Sequence, residues 1–309
     1  MTRSFVDYLI LVFKGMGMGA ADVVPGVSGG TIAFISGIYE ELIGSIKSIS
    51  LNTFKILRKQ GIKAAWKSIN GNFLAAVFSG IFLSIFTLTK IIKYLLENEP
   101  VAVWSFFFGL IIASVYFVGK QIKKWDAKTV TGLVIGTVVA FWITTIGSEA
   151  QIGSKAFFFV SGMIAICAMI LPGISGSFIL LLLGSYYAVL NAVHDKDFVI
   201  LGIFALGCLV GLLAFSRLLD FLFKRFKEVT LAVLTGFLIG SLNKIWPWKE
   251  TIKFRIDSKG EQVPFIQENV LPGDYHGDSM FLLAVALMFV GVGLILVLES
   301  LPQLLAKKK

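Results

Sequence analysis

Residues 23–31 read VVPGVSGGT and residues 170–178 read ILPGISGSF. Proline followed by glycine ends a helix, because the ring lacks an N–H and clashes with the preceding turn. Both phrases nevertheless lie inside long apolar stretches. Of the 309 residues, 56% are hydrophobic and 15% charged, against about 25% charged in an ordinary soluble domain. Runs such as 101–119, 129–146, 229–243 with its continuation, and 279–298 are nearly free of charge. Each is long enough to cross a hydrocarbon layer about 30 Å thick. The runs are continuous, not alternating, which excludes a closed β-barrel. The chain reads as an all-α polytopic membrane protein over 1–309 that places one helix-breaking phrase at depth twice.

Charge placement sets the orientation. The net charge of +9 is concentrated in a few connections. Segment 47–71 carries Lys47, Lys55, Arg58, Lys59, Lys63 and Lys67 without an acid, and loops 120–128 and 217–228 and the C-terminus are also basic. Connections 96–100, 147–155, 194–197 and 247–278 are acidic or mixed. By the positive-inside rule the first set faces the cytoplasm and the second the outside, with both termini cytoplasmic. This distribution also argues against a nucleic-acid partner. Segment 47–71 reads as an amphipathic helix on the inner leaflet, or else a solvated loop. The Arg3-led start, interrupted by Lys14 and followed by Asp22, reads as retained rather than cleaved. Cys167 and Cys208 lie in apolar segments, and His194 and His276 in polar loops, so no disulfide, metal site or cofactor is expected.

The two phrases belong to a duplication. Shifted by 147 positions, Gly15, Met16, Pro25, Gly26, Ser28, Gly29, Gly37 and Tyr39 meet Gly162, Met163, Pro172, Gly173, Ser175, Gly176, Gly184 and Tyr186. Shifted by 127, Gly80, Leu95, Gly109, Ile112 and Ser114 meet Gly207, Leu222, Gly236, Ile239 and Ser241, and Lys90 meets Arg217. Repeats 1–147 and 148–309 each hold one broken hairpin and three spans, at about 73–95, 101–119 and 129–146, then 197–216, 229–246 and 279–298. An odd number of spans inserts the halves from opposite sides, the inverted topology of secondary transporters. The hairpins are too short for two full spans and read as re-entrant, with two short crossing helices as the alternative.

A re-entrant turn leaves backbone groups without helical partners, tolerable only where protein or a wet cavity surrounds it. Gly26, Val27, Ser28, Gly29 and Gly30, with the Thr31 hydroxyl, are candidate phosphate-binding residues. Gly173, Ile174, Ser175, Gly176 and Ser177 repeat them. Close helix crossing at small residues is the other reading. Lys90 and Arg217 stand near opposite entrances as further candidate phosphate ligands, or snorkel to the interface. Asp22, three residues before the first break, has Met169 as its counterpart. A carboxylate at that depth suggests handling of a coupling H⁺ or Na⁺, or alternatively a cap or a partner for Lys14. No catalytic group is assigned.

PGVSGGTIAFISGIYEELI and PGISGSFILLLLGSYYAVL closely resemble the bacterial polyprenyl-phosphate transporter family of the PopT type, and the resemblance covers essentially the whole chain. It implies a multi-pass protein of the bacterial plasma membrane that returns undecaprenyl phosphate, the lipid carrier of cell-wall synthesis, from the outer to the cytoplasmic leaflet. Two other functions remain open. Undecaprenyl-pyrophosphate phosphatases use a similar phrase, but with an arginine in the turn and a glutamate-rich partner motif, neither of which stands here. The other is a channel or transporter for a small anion.

Overall fold

The computed structural model describes residues 3–23, 28–145, 155–194, 196–256 and 262–306. The first half runs α1 (Phe5–Val23), α2 (Gly29–Ile35), α3 (Tyr39–Ser48), α4 (Leu51–Gln60), α5 (Ile62–Ser68), α6 (Gly71–Asn98), α7 (Pro100–Gly119) and α8 (Ala127–Thr145). The second runs α9 (Lys155–Ile170), α10 (Gly176–Leu182), α11 (Tyr186–His194), α12 (Phe198–Arg225), α13 (Lys227–Ser241), strands β1 (Lys249–Ile256) and β2 (Gln262–Asn269), and α14 (Phe281–Ala306). Among the described residues, four helices are long and apolar enough to cross a membrane, namely Gly71–Leu88 of α6, α7, α8 and α12, while Lys155–Ile170 and Phe281–Val297 are shorter apolar helices. The protein is a mostly helical membrane protein, and the expected spans each overlap a helix, although α13 ends at Ser241, short of the expected 229–246.

Local chemistry starts these helices where the apolar runs begin. Pro100 opens α7, a position whose missing N–H costs no intrahelical bond. Asp197 caps α12, accepting from the amides of Val199 and Ile200 at 3.0 and 3.1 Å. Asp126 precedes α8 and accepts from the amide and hydroxyl of Thr129, both at 2.9 Å. Those bonds, the amide first, hold its carboxyl below the usual range.

Packing follows glycine. α1 lies along α6, α9 along α12, α7 along α14 and α8 along α13. A Cβ on Gly80 would sit 2.0 Å from the Val12 carbonyl oxygen, and one on Gly207 2.1 Å from that of Phe159. The same substitution at Gly136 would meet Val233 O at 2.3 Å, and at Gly291 Phe106 O at 2.2 Å. Backbones touch only where no side chain intervenes, the packing that serves helices in lipid, where burial of apolar surface gives no drive. Val12 and Phe159, Gly80 and Gly207, and Phe106 and Val233 are all positions matched by the duplication.

One feature is new and two expectations are corrected. The return arm of each hairpin is two helices. α2 ends with Gly37 at φ +72° and α10 with Gly184 at φ +73°. In the first case the Ile38 amide reaches Ala33 O at 3.0 Å and the Gly37 amide Phe34 O at 3.2 Å, and in the second Ser185 N reaches Leu180 O at 3.0 Å. These are left-handed glycine caps, which satisfy carbonyls that would otherwise lie bare in an apolar setting. The all-α expectation fails at 247–278, where β1 and β2 pair antiparallel with Lys249 opposite Asn269. The alternation of Ile252, Phe254 and Ile256 with Lys253 and Arg255 has the two-residue period of a strand. Trp246 and Trp248 pin the hairpin, their indole N–H groups donating to Val270 O and Ser279 O at 2.8 Å. Finally, the basic segment forms two short helices, α4 and α5, separated at Gly61, with Leu51, Phe54, Ile62 and Trp66 exposed.

Gly80→Ala and Gly207→Ala should each destabilise the protein by about 1–3 kcal/mol or more through forced backbone separation. Gly202→Ala, with nothing within 4 Å of the added methyl, should be neutral or stabilising by up to about 1 kcal/mol. Thermal unfolding in one detergent compares them; equal effects at all three would refute the close-packing account.

Candidate functional site: the junction of the two turns

The two helix-breaking phrases meet. Ser28 caps α2, its hydroxyl accepting from the Gly30 amide at 3.0 Å and donating to Met169 O at 2.5 Å. In return the Gly173 amide donates to the Thr31 hydroxyl at 2.9 Å. Met169 and Ile170 end α9, so their carbonyls have no partner further along the helix. Ser28 satisfies one of them, and Gly30 lies against the other: a Cβ there would be 2.1 Å from Ile170 O. Gly173 is required twice over, by φ +84° and by Phe237 O lying 2.6 Å from any added Cβ. Ser28 and Thr31 are fully buried and Ser175 nearly so.

This geometry spends several groups expected to face a ligand. Besides Gly30 and Gly173, the Gly29 amide donates to Asp22 Oδ1 at 2.7 Å, and the Thr31 amide to Ser28 O at 2.9 Å. Ile174 N reaches back to Leu171 O at 3.4 Å. Gly26 and Val27 lie outside the described residues. The matching positions keep matching surroundings: an added Cβ on Gly29 would meet Asp22 and Met18 O, and one on Gly176 would meet Met169 and Ala165 O. Asp22 and Met169 therefore occupy the same place in two copies of one turn. Only the first copy carries an acid, and it does so as a partner to the α2 backbone. Lys14 instead donates to Ser36 O at 2.5 Å.

The second turn opens on a narrow pocket lined by Ala140, Ile143, Thr144, Gly173, Ile174, Ser175 and Lys244, with room for about one water-sized group (about 10 Å³). The Ser175 and Ser177 hydroxyls lie 2.8 Å apart beside it. Lys244 is the polar residue the sequence reading passed over. It sits just past α13, inside a stretch counted as span, next to Trp246 and Trp248. A cation interrupting an apolar run beside tryptophans is the signal that could have found it.

Arg217, an expected headgroup ligand, is bonded to backbone carbonyls. Its exposed guanidinium donates to Leu213 O at 2.6 Å and Ile49 O at 3.3 Å. Asp220 pairs with Lys47, and with Lys224 at 3.0 Å, instead of with Arg217. Lys227 meets Glu40 at 2.6 Å, and Arg3 meets Glu41 at 2.5 Å. The Lys47–Asp220 and Lys227–Glu40 pairs and the Arg217–Ile49 bond all tie the first half to the second. Lys90 lies on α6; its side chain is outside the described set.

Thr31→Val should remove the acceptor for the buried Gly173 amide and cost about 1–3 kcal/mol. Gly30→Ala should cost as much or more by forcing the turns apart. Thermal unfolding of both variants against Ser177→Ala checks this, and a Thr31→Val protein as stable as the parent would show that the junction does not hold the halves together.

The chain is similar to known sequences. A family described as VCA0040-like, undecaprenyl phosphate translocase-like, matches residues 18–263, a stretch that includes both turns. A Vibrio cholerae protein named polyprenyl-phosphate transporter is 48% identical over 304 residues, covering 97% of this chain and 99% of its own. A Staphylococcus aureus protein of the same name is 31% identical over 256 residues, covering 77% of this chain and 86% of its own. No solved structure matches the chain. With similarity at this level across nearly its whole length, this chain belongs to the undecaprenyl phosphate translocase-like family.

Proposed function

We propose that this protein carries undecaprenyl phosphate from the outer to the cytoplasmic leaflet of a bacterial plasma membrane, returning the lipid carrier to cell-wall synthesis. It acts as a translocase and moves the phosphate monoester intact. One observation carries the reading: the junction of the two turns beside a narrow pocket whose lining includes Thr144, Ser175 and Lys244. A phosphate headgroup needs cations and hydroxyl donors at depth, and Lys244, Ser175 and Ser177 offer both. The polyprenyl tail stays in lipid while the headgroup passes the junction. Membership of the family and the names of its relatives support the substrate class.

The two halves insert with opposite topology, and both termini are cytoplasmic. The recurrence of glycine contacts at matched positions supports a two-fold arrangement of the repeats, and the basic connections support the orientation. In this arrangement the Lys47–Asp220 and Lys227–Glu40 pairs lie on the cytoplasmic side and lash the halves together. An exposed ion pair such as Lys227–Glu40 is worth about 0–1 kcal/mol. Such pairs suit a barrier that must part when the headgroup leaves inward. The exposed Leu51, Phe54, Ile62 and Trp66 of α4 and α5, set among lysines and Arg58, rest on the anionic inner leaflet.

Inward movement of the headgroup runs against the membrane potential. A phosphate monoester carries about −1.5 to −2 charges, and each charge costs about 2.3 kcal/mol per 100 mV. A co-transported H⁺ or Na⁺ offsets one charge, and Asp22 handles it, using the carboxylate now held by the Gly29 amide. Loss of one coupled charge at 100 mV lowers the attainable accumulation by up to about 50-fold.

Cells lacking this protein and its paralogues should accumulate undecaprenyl phosphate in the outer leaflet, read with a headgroup-specific probe, and restoring the gene should reverse it. An unchanged outer-leaflet pool would refute the transport reading. In proteoliposomes with an imposed potential, Asp22→Asn should abolish the cation dependence of uptake. Retained dependence would remove Asp22 from the coupling step and leave the transport reading in place.

A further inference from the structure

Beyond α13 the chain reads NKIWPWK over residues 243–249 before β1 continues, and two of these residues are lysines turned inward. The Lys249 ammonium is buried and has no hydrogen-bond acceptor among the described residues. What holds it is the face of the Trp104 indole, 3.6 Å from ring centroid to Nζ. A ring face attracts a cation but replaces none of the three hydrogen bonds that water gives an ammonium. The adjacent acid does not help: Glu250 accepts from the His276 amide at 2.8 Å and faces the His276 ring at 3.2 Å. The charge that does reach Lys249 is Lys244, of like sign, and burial together with that repulsion holds the Lys249 ammonium well below the usual lysine range.

A buried lysine amine without an acceptor among the described residues, with a second, partly buried lysine of like charge near it, is an arrangement that costs stability unless an anion occupies it. Lys244 also lines the pocket at Gly173, Ile174 and Ser175, so the lysine whose charge reaches Lys249 stands at the second turn. The same stretch is fixed, not free to turn outward. Trp248 is 2% exposed and stacks on Phe281 at 6.1 Å, and Trp246 meets Phe108 edge-on at 5.4 Å. The fold therefore builds in the burial of these amines.

We propose that Lys249 and Lys244, roofed by the β-hairpin and floored by Trp104, form a binding site for a doubly charged phosphate group that delivers it to Ser175 in the second turn. Two ammonium groups match the charge of a phosphate monoester and its three acceptor oxygens; a carboxylate neutralises only one of them. The proposal rests on the transport reading in one respect, the source of the phosphate. A polyprenyl phosphate headgroup and free inorganic phosphate present the same chemistry, and the experiment separates them.

The full chain in nanodiscs is titrated with inorganic phosphate and, separately, with undecaprenyl phosphate, following affinity and ligand-induced thermal stabilisation. Lys249→Met and Lys244→Met should each weaken phosphate binding at least about tenfold. Lys249→Met should unfold at the same or a higher temperature than the parent without ligand, because a buried unneutralised amine has been removed, and should gain little on adding phosphate. Lys249→Arg should retain most of the binding. Binding unchanged in both methionine variants would overturn the site. So would a lower ligand-free melting temperature for Lys249→Met with the parent's full phosphate response, the mark of a structural strut on Trp104. Displacement of phosphate by undecaprenyl phosphate assigns the site to the lipid headgroup. Lysine-dependent phosphate binding that the lipid does not displace upholds the site and overturns its part in lipid transport. Transport that fails in the parent while lysine-dependent binding persists refutes the transport reading alone.

Discussion

The structure depends on one exchange of hydrogen bonds. Ser28 of the first turn closes the end of α9 at Met169, and Thr31 accepts from Gly173 of the second. An interrupted helix in an apolar surrounding exposes donors and acceptors whose burial without partners costs several kcal/mol each. A single broken hairpin has no way to satisfy them all. Two broken hairpins placed tip to tip supply one another's missing partners, and the glycines at 30 and 173 let the backbones come close enough to do so. The turns are thus a structural keystone, and binding is assigned to them only by the proposed function.

This division explains why the chemistry is unsymmetrical on a frame that repeats. Helix contacts recur at matched positions, with Gly80 on Val12 and Gly207 on Phe159. The charged groups near the junction do not recur. Asp22 faces the α2 backbone where Met169 stands in the other copy, and Lys244 and Lys249 belong to the second half only. The ion pairs that tie Lys47 to Asp220 and Lys227 to Glu40 are a separate, peripheral layer. Their charges hold the halves together and leave the junction to hydroxyls and amides.

Most of the fold is legible along the chain because lipid imposes a strict condition on it. Spans must be long and apolar, so the runs at 101–119 and 129–146 translate almost residue for residue into α7 and α8. The duplication was visible as paired glycines, including Gly37 and Gly184, although their meaning as left-handed caps that split each return arm was not. The β-hairpin was missed because 247–278 was weighed by charge, while its strand signal lies in the alternation of Ile252, Phe254 and Ile256.

The candidate site was legible only in part. Composition and spacing placed PGVSG and PGISG at depth and marked Asp22, Ser28, Thr31 and Ser175 as polar groups that needed a reason to be there. Which amides would be spent on protein, and which cations would stand nearby, is a matter of distances between residues more than a hundred positions apart, as between Ser28 and Met169. Arg217 shows the difference, its guanidinium bonded to Leu213 and Ile49 carbonyls. Sequence alone determined the class of the protein, its broken hairpins and its internal repeat, since each is written in local apolarity and in the few residues that end a helix. Tertiary structure decided that the breaks satisfy one another and that Lys244 and Lys249 are the buried cations beside them, since burial and partnership exist only once distant segments are packed.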